Sequence, residues 1–270
     1  MKPMIKWTTG NTNLISEIKK YLPKYYNTYY EPFIGGGSVL FSIIPQRAVI
    51  NDINPELMNL YECVKNKPEI VIQMLKHLDE TTPNTAEAYN EIRERFNNKI
   101  KSSTYDIMSA VLLLWLSNWC IGAYRVNKNG MFNASFNHIV IKNKDKFLEN
   151  RANDYANIWE IGQYMQEFDV NILNQDFEKT CLSANKDDFV YIDSPHISKK
   201  KSDEFDIEDH KRLAELVDTL TDRGVFVMLS NSDVLIVREM YEGYNIIPVD
   251  TKKKKEEKTL IITNYEVEYK

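Results

Sequence analysis

The sequence predicts an α/β fold, an open sheet of the doubly wound type interrupted by an all-helical segment. Near the N-terminus a short strand pattern runs into Gly35-Gly36-Gly37 and then into a helix pattern. Far downstream a second apolar run, Phe189-Val190-Tyr191-Ile192, empties into the polar turn Asp193-Ser194-Pro195-His196. Such sheets carry their chemistry at the carboxyl ends of their strands, so a carboxylate at Asp193 can face a ligand held in the crevice. Between the two regions lies a long stretch of helical spacing with no strand alternation.

Bulk properties bound the function. A chain of 270 residues buries a large core, as one big domain or as a domain with a substantial insertion. Apolar content of 43% and charged content of 27% fit a soluble globular protein. With a net charge of -5, nucleic-acid binding requires a local basic face. Cys63, Cys120 and Cys181 are odd in number and widely spaced, which predicts reduced, mostly buried thiols and no metal site. The first residues, Met1 to Trp7, lack the apolar core of a signal peptide. The longest apolar run, Ala110 to Leu116, is too short to cross a bilayer, so no membrane association is expected.

In chain order, Leu14, Ile15, Ile18 and Leu22 fall at helical spacing and Pro23 closes the pattern. Tyr29 to Phe33 reads as a strand entering the glycine turn, and Val39, Leu40, Phe41 and Ile43 begin a helix. Glycines there let backbone approach a ligand at a helix N-terminus, although glycine runs also serve as plain turns. Arg47 to Ile50 is a second strand, ending in Asn51-Asp52-Ile53-Asn54. An acid about 20 residues beyond such a glycine turn typically takes the ribose hydroxyls of a nucleoside cofactor. On spacing alone Asp52 fits equally well as the cap of a helix starting near Pro55. The Gly-x-Gly-x-x-Gly fingerprint is absent, which argues against nicotinamide or flavin chemistry.

From Glu56 to about Phe96 the apolar residues Leu57, Leu60, Val64, Ile70, Ile72, Leu75 and Leu78 keep helical spacing, with a break around Thr81 to Asn84. Ile107 to Trp119 is apolar nearly all round, the pattern of a buried helix. Gly122 to Asn133 mixes asparagines, basic groups and aromatics without periodicity, and reads as a loop or hairpin. It is either a solvated surface loop or a nucleic-acid contact, with Arg and Lys on phosphates and Asn or Arg on base edges. Lys142, Lys144 and Lys146 follow it.

The chain then returns to the sheet. Val170 to Leu173 is a strand leading to Asn174-Gln175-Asp176-Phe177, and Phe189 to Ile192 leads to Asp193. After the lysine run Lys199 to Lys201 come a helix over Glu208 to Leu220 and a strand over Val225 to Asn231. A helix over Ser232 to Tyr241, a strand over Tyr244 to Val249, the basic run Lys252 to Lys255 and a terminal strand over Leu260 to Tyr265 complete the chain.

Lys6-Trp7-Thr8-Thr9-Gly10-Asn11, Glu31-Pro32-Phe33-Ile34-Gly35-Gly36-Gly37, Asn51-Asp52-Ile53-Asn54, the Gly122 to Asn133 segment and Asp193-Ser194-Pro195-His196 follow one another in a family's order. In that order they resemble the Dam-type (D12 class) DNA adenine methylases, from Lys6 to Tyr265. The resemblance implies a seven-stranded, Rossmann-like methyltransferase sheet with an inserted helical DNA-recognition domain. Residues 1–58 would be the cofactor-binding part, 59–150 the helical target-recognition insertion and 151–270 the catalytic part.

The resemblance also implies S-adenosylmethionine as cofactor and double-stranded DNA as partner, in a cytoplasmic setting (a bacterial, phage or viral host-cell interior). The activity implied is adenine-N6 methylation of the kind met in restriction-modification. Trp7, Phe33 and Asn11 would lie near the cofactor, Gly35, Gly36 and Gly37 at its methionine end, and Asp52 on its ribose. Asp176 and Phe177 would meet its adenine ring, and Asp193 would adjoin it as well as the target base. DNA contacts would come from Tyr124, Arg125, Asn127, Lys128, Asn133 and Lys142, and no metal is implied.

Departures gather at the working positions. The family's opening Lys-Trp-x-Gly-Gly-Lys has Thr9 and Asn11 here, Ile121 replaces a leading asparagine, and Asp-Pro-Pro-Tyr has become Asp193-Ser194-Pro195-His196. In the family's chemistry a carboxylate and a backbone carbonyl accept both hydrogens of the target amine, while an aromatic ring stacks on the extruded base. Asp193 keeps the carboxylate, Ser194 loses a proline, and His196 offers a smaller ring that can protonate near neutral pH. Two readings stay open: an active adenine methyltransferase with an altered pocket, or an inactive homologue kept for DNA binding, regulation or pairing with an active protein partner.

Overall fold

A computed structural model describes residues 1–7, 14–138, 144–197, 205–249 and 259–267, with only the helical backbone for 144–150. The elements are α1 (Ile15–Lys20), β1 (Tyr29–Glu31), α2 (Leu40–Ile43), β2 (Arg47–Asn51), α3 (Pro55–Asn66), α4 (Pro68–Thr81), α5 (Ala86–Lys101) and α6 (Ile107–Trp119). They continue with α7 (Lys144–Glu167), β3 (Asp169–Leu173), α8 (Phe177–Cys181), β4 (Phe189–Ile192), α9 (Ile207–Asp222), β5 (Phe226–Ser232), α10 (Leu235–Met240), β6 (Asn245–Val249) and β7 (Thr259–Thr263). The chain divides into two units, one of Asn11–Ile34, Ser42–Ile53 and Asp169–Lys270, the other of Met1–Gly10, Gly35–Phe41 and Asn54–Phe168.

The first unit holds a seven-stranded sheet, as the family resemblance implies, in the order β3-β2-β1-β4-β5-β7-β6. The strands β3, β2, β1, β4 and β5 are mutually parallel, and β7 runs antiparallel to both β5 and β6. The chain winds outward from β1 through β2 to β3, then returns to lay β4 against the other side of β1. That reversal makes a crevice outside the carboxyl ends of β1 and β4, where doubly wound sheets bind ligands. All four residues of β4 are buried, as expected of a central strand covered on both faces.

The helix α9 starts where Asp206 accepts hydrogen bonds from the backbone N–H groups of Glu208 and Asp209, a capping box with Asp209. Leu213, Leu216, Val217 and Leu220 then recur at helical spacing and join Val190, Ile192, Val227 and Leu229 of the sheet in one core cluster. One turn earlier on the same stripe is His210, 4% exposed, meeting the Phe205 ring edge-on at 4.8 Å. Burial lowers the His210 pKa to about 4, reinforced by His196 and opposed by Asp209 and Asp206.

The folded chain therefore keeps this imidazole neutral over a range in which the unfolded chain, with its ordinary value near 6.5, takes up a proton. Its contribution is fully present above about pH 6.5 and is lost as pH falls toward 4, at up to about 1.4 kcal/mol per pH unit. Between pH 7.5 and 4.5 the melting temperature of the native chain is expected to fall further than that of His210→Leu, which has no imidazole to protonate. Parallel curves would show that His210 carries no part of the acid sensitivity.

The second unit is helical. In α3 Pro55 occupies the first turn and Asn54 is the cap, its side chain accepting from Leu57 N at 2.7 Å. The stretch predicted as helical from Glu56 to Phe96 is three helices, because Pro68 starts α4 after Lys67 and Thr85 caps α5. The buried helix α6 packs against α3, α4 and α5, while α7 packs against α3 and α4. A Cβ at Gly162 of α7 would stand 2.7 Å from Pro68 Cβ and 2.9 Å from Val64 O, so only glycine permits this close approach. The helix α7 runs straight through residue 150, where the sequence suggests a boundary, and the helical unit continues to Phe168. No helix among the described residues is long and apolar enough to cross a membrane.

Candidate active site

At the carboxyl end of β4 the Asp193 side chain is 12% exposed. Its Oδ1 accepts a hydrogen bond from Ser230 Oγ at 2.8 Å, and Ser230 Oγ lies 3.2 Å from the Tyr191 hydroxyl. His196, 30% exposed, brings Nε2 to 3.8 Å from the same carboxylate oxygen. Ser194 is fully buried, and its hydroxyl has no hydrogen-bond partner among the described residues. Beyond Pro195 the Ile197 N–H donates to Asn231 Oδ1 at 3.3 Å. Asp193 is thus held by a neighbouring strand, which a simple turn cap does not require.

The ends of β1, β2 and β3 are joined through Asn51, which is 1% exposed. Its amide donates to Pro32 O and Gln175 O, both at 3.0 Å, and its Oδ1 accepts from Gln175 N at 2.9 Å. Ile34 N donates to Asn51 O at 2.9 Å. Asp52 follows, mostly buried, with its carbonyl accepting from Asn174 Nδ2 at 2.8 Å. The capping role that spacing allowed for Asp52 belongs instead to Asn54, two residues on, directly before Pro55.

Asp176 caps α8, its Oδ1 accepting from Glu178 N at 2.9 Å. The same oxygen receives Arg212 at 3.0 Å, and Arg212 also reaches Glu178 at 2.9 Å and Asp209 at 3.0 Å. The guanidinium stands 4.9 Å from the centroid of the Phe177 ring, and its partners push its pKa upward. Phe177 stacks on Phe33 at 5.2 Å, and Phe205 closes on both at 5.7 and 5.8 Å. A cavity of about 110 Å³ opens here between Pro32, Phe33, Asn51, Asp176, Phe177 and Phe205.

Asn51 and Arg212 are the site residues that sequence reasoning passes over. Arg212 sits three residues after Asp209 on one helix face, which a search for i,i+3 ion pairs would flag. Its partners on α8 have no local signal. A larger groove, about 790 Å³, opens at the amino ends of the strands around Tyr21, Lys24, Tyr26 and Tyr265, the wrong edge of the sheet for a crevice ligand.

In the helical unit Trp7 stacks on Tyr124 with ring centres 4.7 Å apart and planes 12° from parallel. Gly35 has φ +48°, and a Cβ there would stand 2.7 Å from the Trp7 ring, so glycine is required on both counts. Gly36 lies against Ile5 and Trp7, and Gly37 against Phe41 and Tyr61. Tyr61 donates to Gly35 O at 3.0 Å, and Asn54 Nδ2 donates to the Tyr124 hydroxyl at 3.2 Å.

The segment predicted as a loop or hairpin is a hairpin, with bridges Cys120↔Phe136 and Val126↔Phe132. Asn127 Oδ1 builds its tip by accepting from Asn129 N at 2.9 Å and Met131 N at 3.1 Å. Arg125, Asn127, Lys128 and Asn133 are exposed along it, whereas Tyr124 is buried against Trp7. Of the expected site residues, Asn11 and Lys142 lie outside the described residues, as do Thr8 to Gly10 and the lysine runs Lys199 to Lys201 and Lys252 to Lys255.

No group of three His, Cys, Asp or Glu among the described residues is arranged to hold a metal ion. The thiols are poor nucleophiles: Cys120 and Cys181 are buried, and burial pushes Cys63 up to about 11. The sheet edge therefore offers a fixed carboxylate with a neighbouring imidazole, and an aromatic cavity flanked by two acids. Such a set can polarise an amine and hold a nucleoside.

A family model described as D12 class N6 adenine-specific DNA methyltransferase matches residues 7–254. The Type II methyltransferase M1.LlaDCHI of Lactococcus lactis subsp. cremoris is 31% identical over 282 residues, spanning 98% of this chain and 96% of its own. The Type II methyltransferase M.MjaIII of Methanocaldococcus jannaschii is 32% identical over 277 residues, spanning 94% and 92%. A DNA adenine methylase of Escherichia coli (strain K12) is 29% identical over 250 residues, spanning 89% and 84%.

Proposed function

From the premise that this chain belongs to the D12 class of N6 adenine-specific DNA methyltransferases, we propose that it transfers a methyl group from S-adenosylmethionine to adenine N6 in double-stranded DNA. The observation that carries activity, as distinct from ancestry, is the Asp193 carboxylate held at 2.8 Å by Ser230 at the end of β4.

The residues present fit the cofactor. The cavity of about 110 Å³ has aromatic walls and an acid on its rim, the chemistry that suits a purine ring carrying an amine. Phe33 and Phe177 would hold that ring, Asp176 its amine, and Asp52 the ribose hydroxyls. Trp7 and Gly35 to Gly37 are assigned to the methionine end on the family's motifs. S-adenosylmethionine, when bound, supplies an electrophilic methyl group.

The chain's own work falls on the target amine, whose lone pair is delocalised into the adenine ring. Asp193 accepts one N6 hydrogen and the backbone carbonyl after it accepts the other, which localises the lone pair and stabilises positive charge developing on nitrogen. His196 offers a ring for stacking on a base turned out of the duplex. Arg125 and Lys128 on the exposed hairpin would meet phosphates, and Asn127 and Asn133 base edges.

A second reading, an inactive homologue retained for DNA binding, is favoured by one observation. Ser194 carries a buried hydroxyl without a partner among the described residues, where a proline would carry no hydroxyl. Incubation with methyl-labelled S-adenosylmethionine and unmethylated DNA of mixed sequence is expected to label adenine as N6-methyladenine. Salt-sensitive DNA binding with no label in adenine would overturn the proposed activity in favour of the second reading.

A further inference from the structure

Parallel pairing of β4 with β5 sets Ile192 opposite Leu229, so the next residues along, Asp193 and Ser230, stand level. Tyr191, two residues before Asp193, projects to the same face of the sheet. Ser230 Oγ donates to Asp193 Oδ1, so its single hydroxyl proton is committed there. Ser230 Oγ must then accept from the Tyr191 hydroxyl, 3.2 Å away. The result is a chain of hydrogen bonds directed from the buried Tyr191 through Ser230 to the partly exposed Asp193, each strengthening the next.

Asn231 holds the other end of the turn. It is 1% exposed, and its Oδ1 accepts from Ile197 N at 3.3 Å and Ser232 N at 2.8 Å. The tetrapeptide is therefore gripped at its first side chain and at the first N–H beyond it, both times by consecutive residues of one rigid strand. Pro195 alone stiffens the backbone between, since Ser194 keeps dihedral freedom that a proline would remove.

We propose that Ser230 and Asn231 are positioning residues that fix the catalytic tetrapeptide, supplying rigidity that a second proline would otherwise give. The inference rests on the reading that Asp193 receives the target amine. Neither residue touches the substrate. Ser230 sets the rotamer of the carboxylate through a charge-assisted bond, and Asn231 sets the path by which the chain leaves the site.

The test uses the full chain with single-turnover methyl transfer to DNA, and hydrogen exchange at the Ile197 amide. Ser230→Ala is expected to lower the rate about 10- to 100-fold, with KM for DNA and the Kd for S-adenosylmethionine changed by less than about twofold. Tyr191→Phe, which leaves Ser230 in place, lowers the rate by a smaller factor. Asn231→Ala is expected to speed exchange at Ile197 about tenfold, and Asn231→Asp, which keeps an acceptor oxygen, to restore protection.

A folded Ser230→Ala chain retaining the native rate, or unchanged Ile197 exchange in Asn231→Ala, overturns the proposal. Should Ser230→Ala fail to fold, Tyr191→Phe and the Asn231 pair decide it. If the native chain transfers no methyl group, the proposed function fails, and Ile197 exchange separately decides whether Asn231 holds the turn.

Discussion

Replacing Asp193 with asparagine is expected to lower the methyl-transfer rate by about 10²- to 10³-fold, with S-adenosylmethionine still bound and the fold intact. Asparagine matches aspartate in shape and keeps an oxygen that can accept from Ser230, now at 2.8 Å, so packing changes little. Two things are lost. The negative charge that opposes the positive charge developing on the amine nitrogen disappears, and one acceptor becomes an NH₂ donor facing another donor. Asp193→Glu keeps the charge but lengthens the arm, carrying the carboxylate out of line with the amine, and is expected to be nearly as damaging. Single-turnover rates with calorimetry of cofactor binding separate the effects. An Asp193→Asn chain retaining more than about a tenth of the native rate would remove Asp193 from the chemistry.

The elements that define this site were legible to different depths. The helix α6 and the strand β4 appear at the residues their apolar runs predict, because burial on all faces leaves nothing to misread. Pro55 at the start of α3 makes Asn54 the cap, a signal present in the sequence, whereas spacing left cap and ribose contact evenly matched for Asp52. The helix α7 left a weaker trace. Its first half is charged, and among the described residues its buried apolar side chains Ile158, Ile161, Tyr164 and Met165 come only in the last turns.

Asn51 and Ser230 were not legible as site residues, and of Arg212 only the pair with Asp209 on its own helix was. Their roles depend on which strand lies beside which and in what register, and no local pattern encodes that. Tyr124 shows the reverse difficulty. Amid exposed polar neighbours it reads as a surface contact, yet its ring is buried against Trp7 from the far N-terminus.

The largest effect on stability is expected from Arg151→Met, a loss of about 3–5 kcal/mol in the helical unit. The Arg151 side chain is 2% exposed and that of Asp79 is 7% exposed, so the pair is sheltered from solvent screening. Arg151 donates to Asp79 Oδ2 through Nε at 2.9 Å and through a terminal nitrogen, Tyr155 adds a bond at 2.5 Å, and Asp154 takes the guanidinium's other arm at 3.3 Å. Methionine preserves much of the volume but leaves a buried carboxylate with a tyrosine hydroxyl in place of a cation. Its Oδ1 already lacks a hydrogen-bond partner among the described residues. The cost therefore comes from stranding Asp79, and the double replacement Arg151→Met, Asp79→Leu should recover most of it by removing both charges. All four tryptophans, Trp7, Trp115, Trp119 and Trp159, lie in the helical unit, so their fluorescence during urea unfolding reports on that unit. Equal losses in the single and double variants would mean that packing around the Arg151 stem matters more than its charge. Recovery in the double variant would identify the ion pair as the fastening of α7 to α4 in the unit that carries the exposed hairpin.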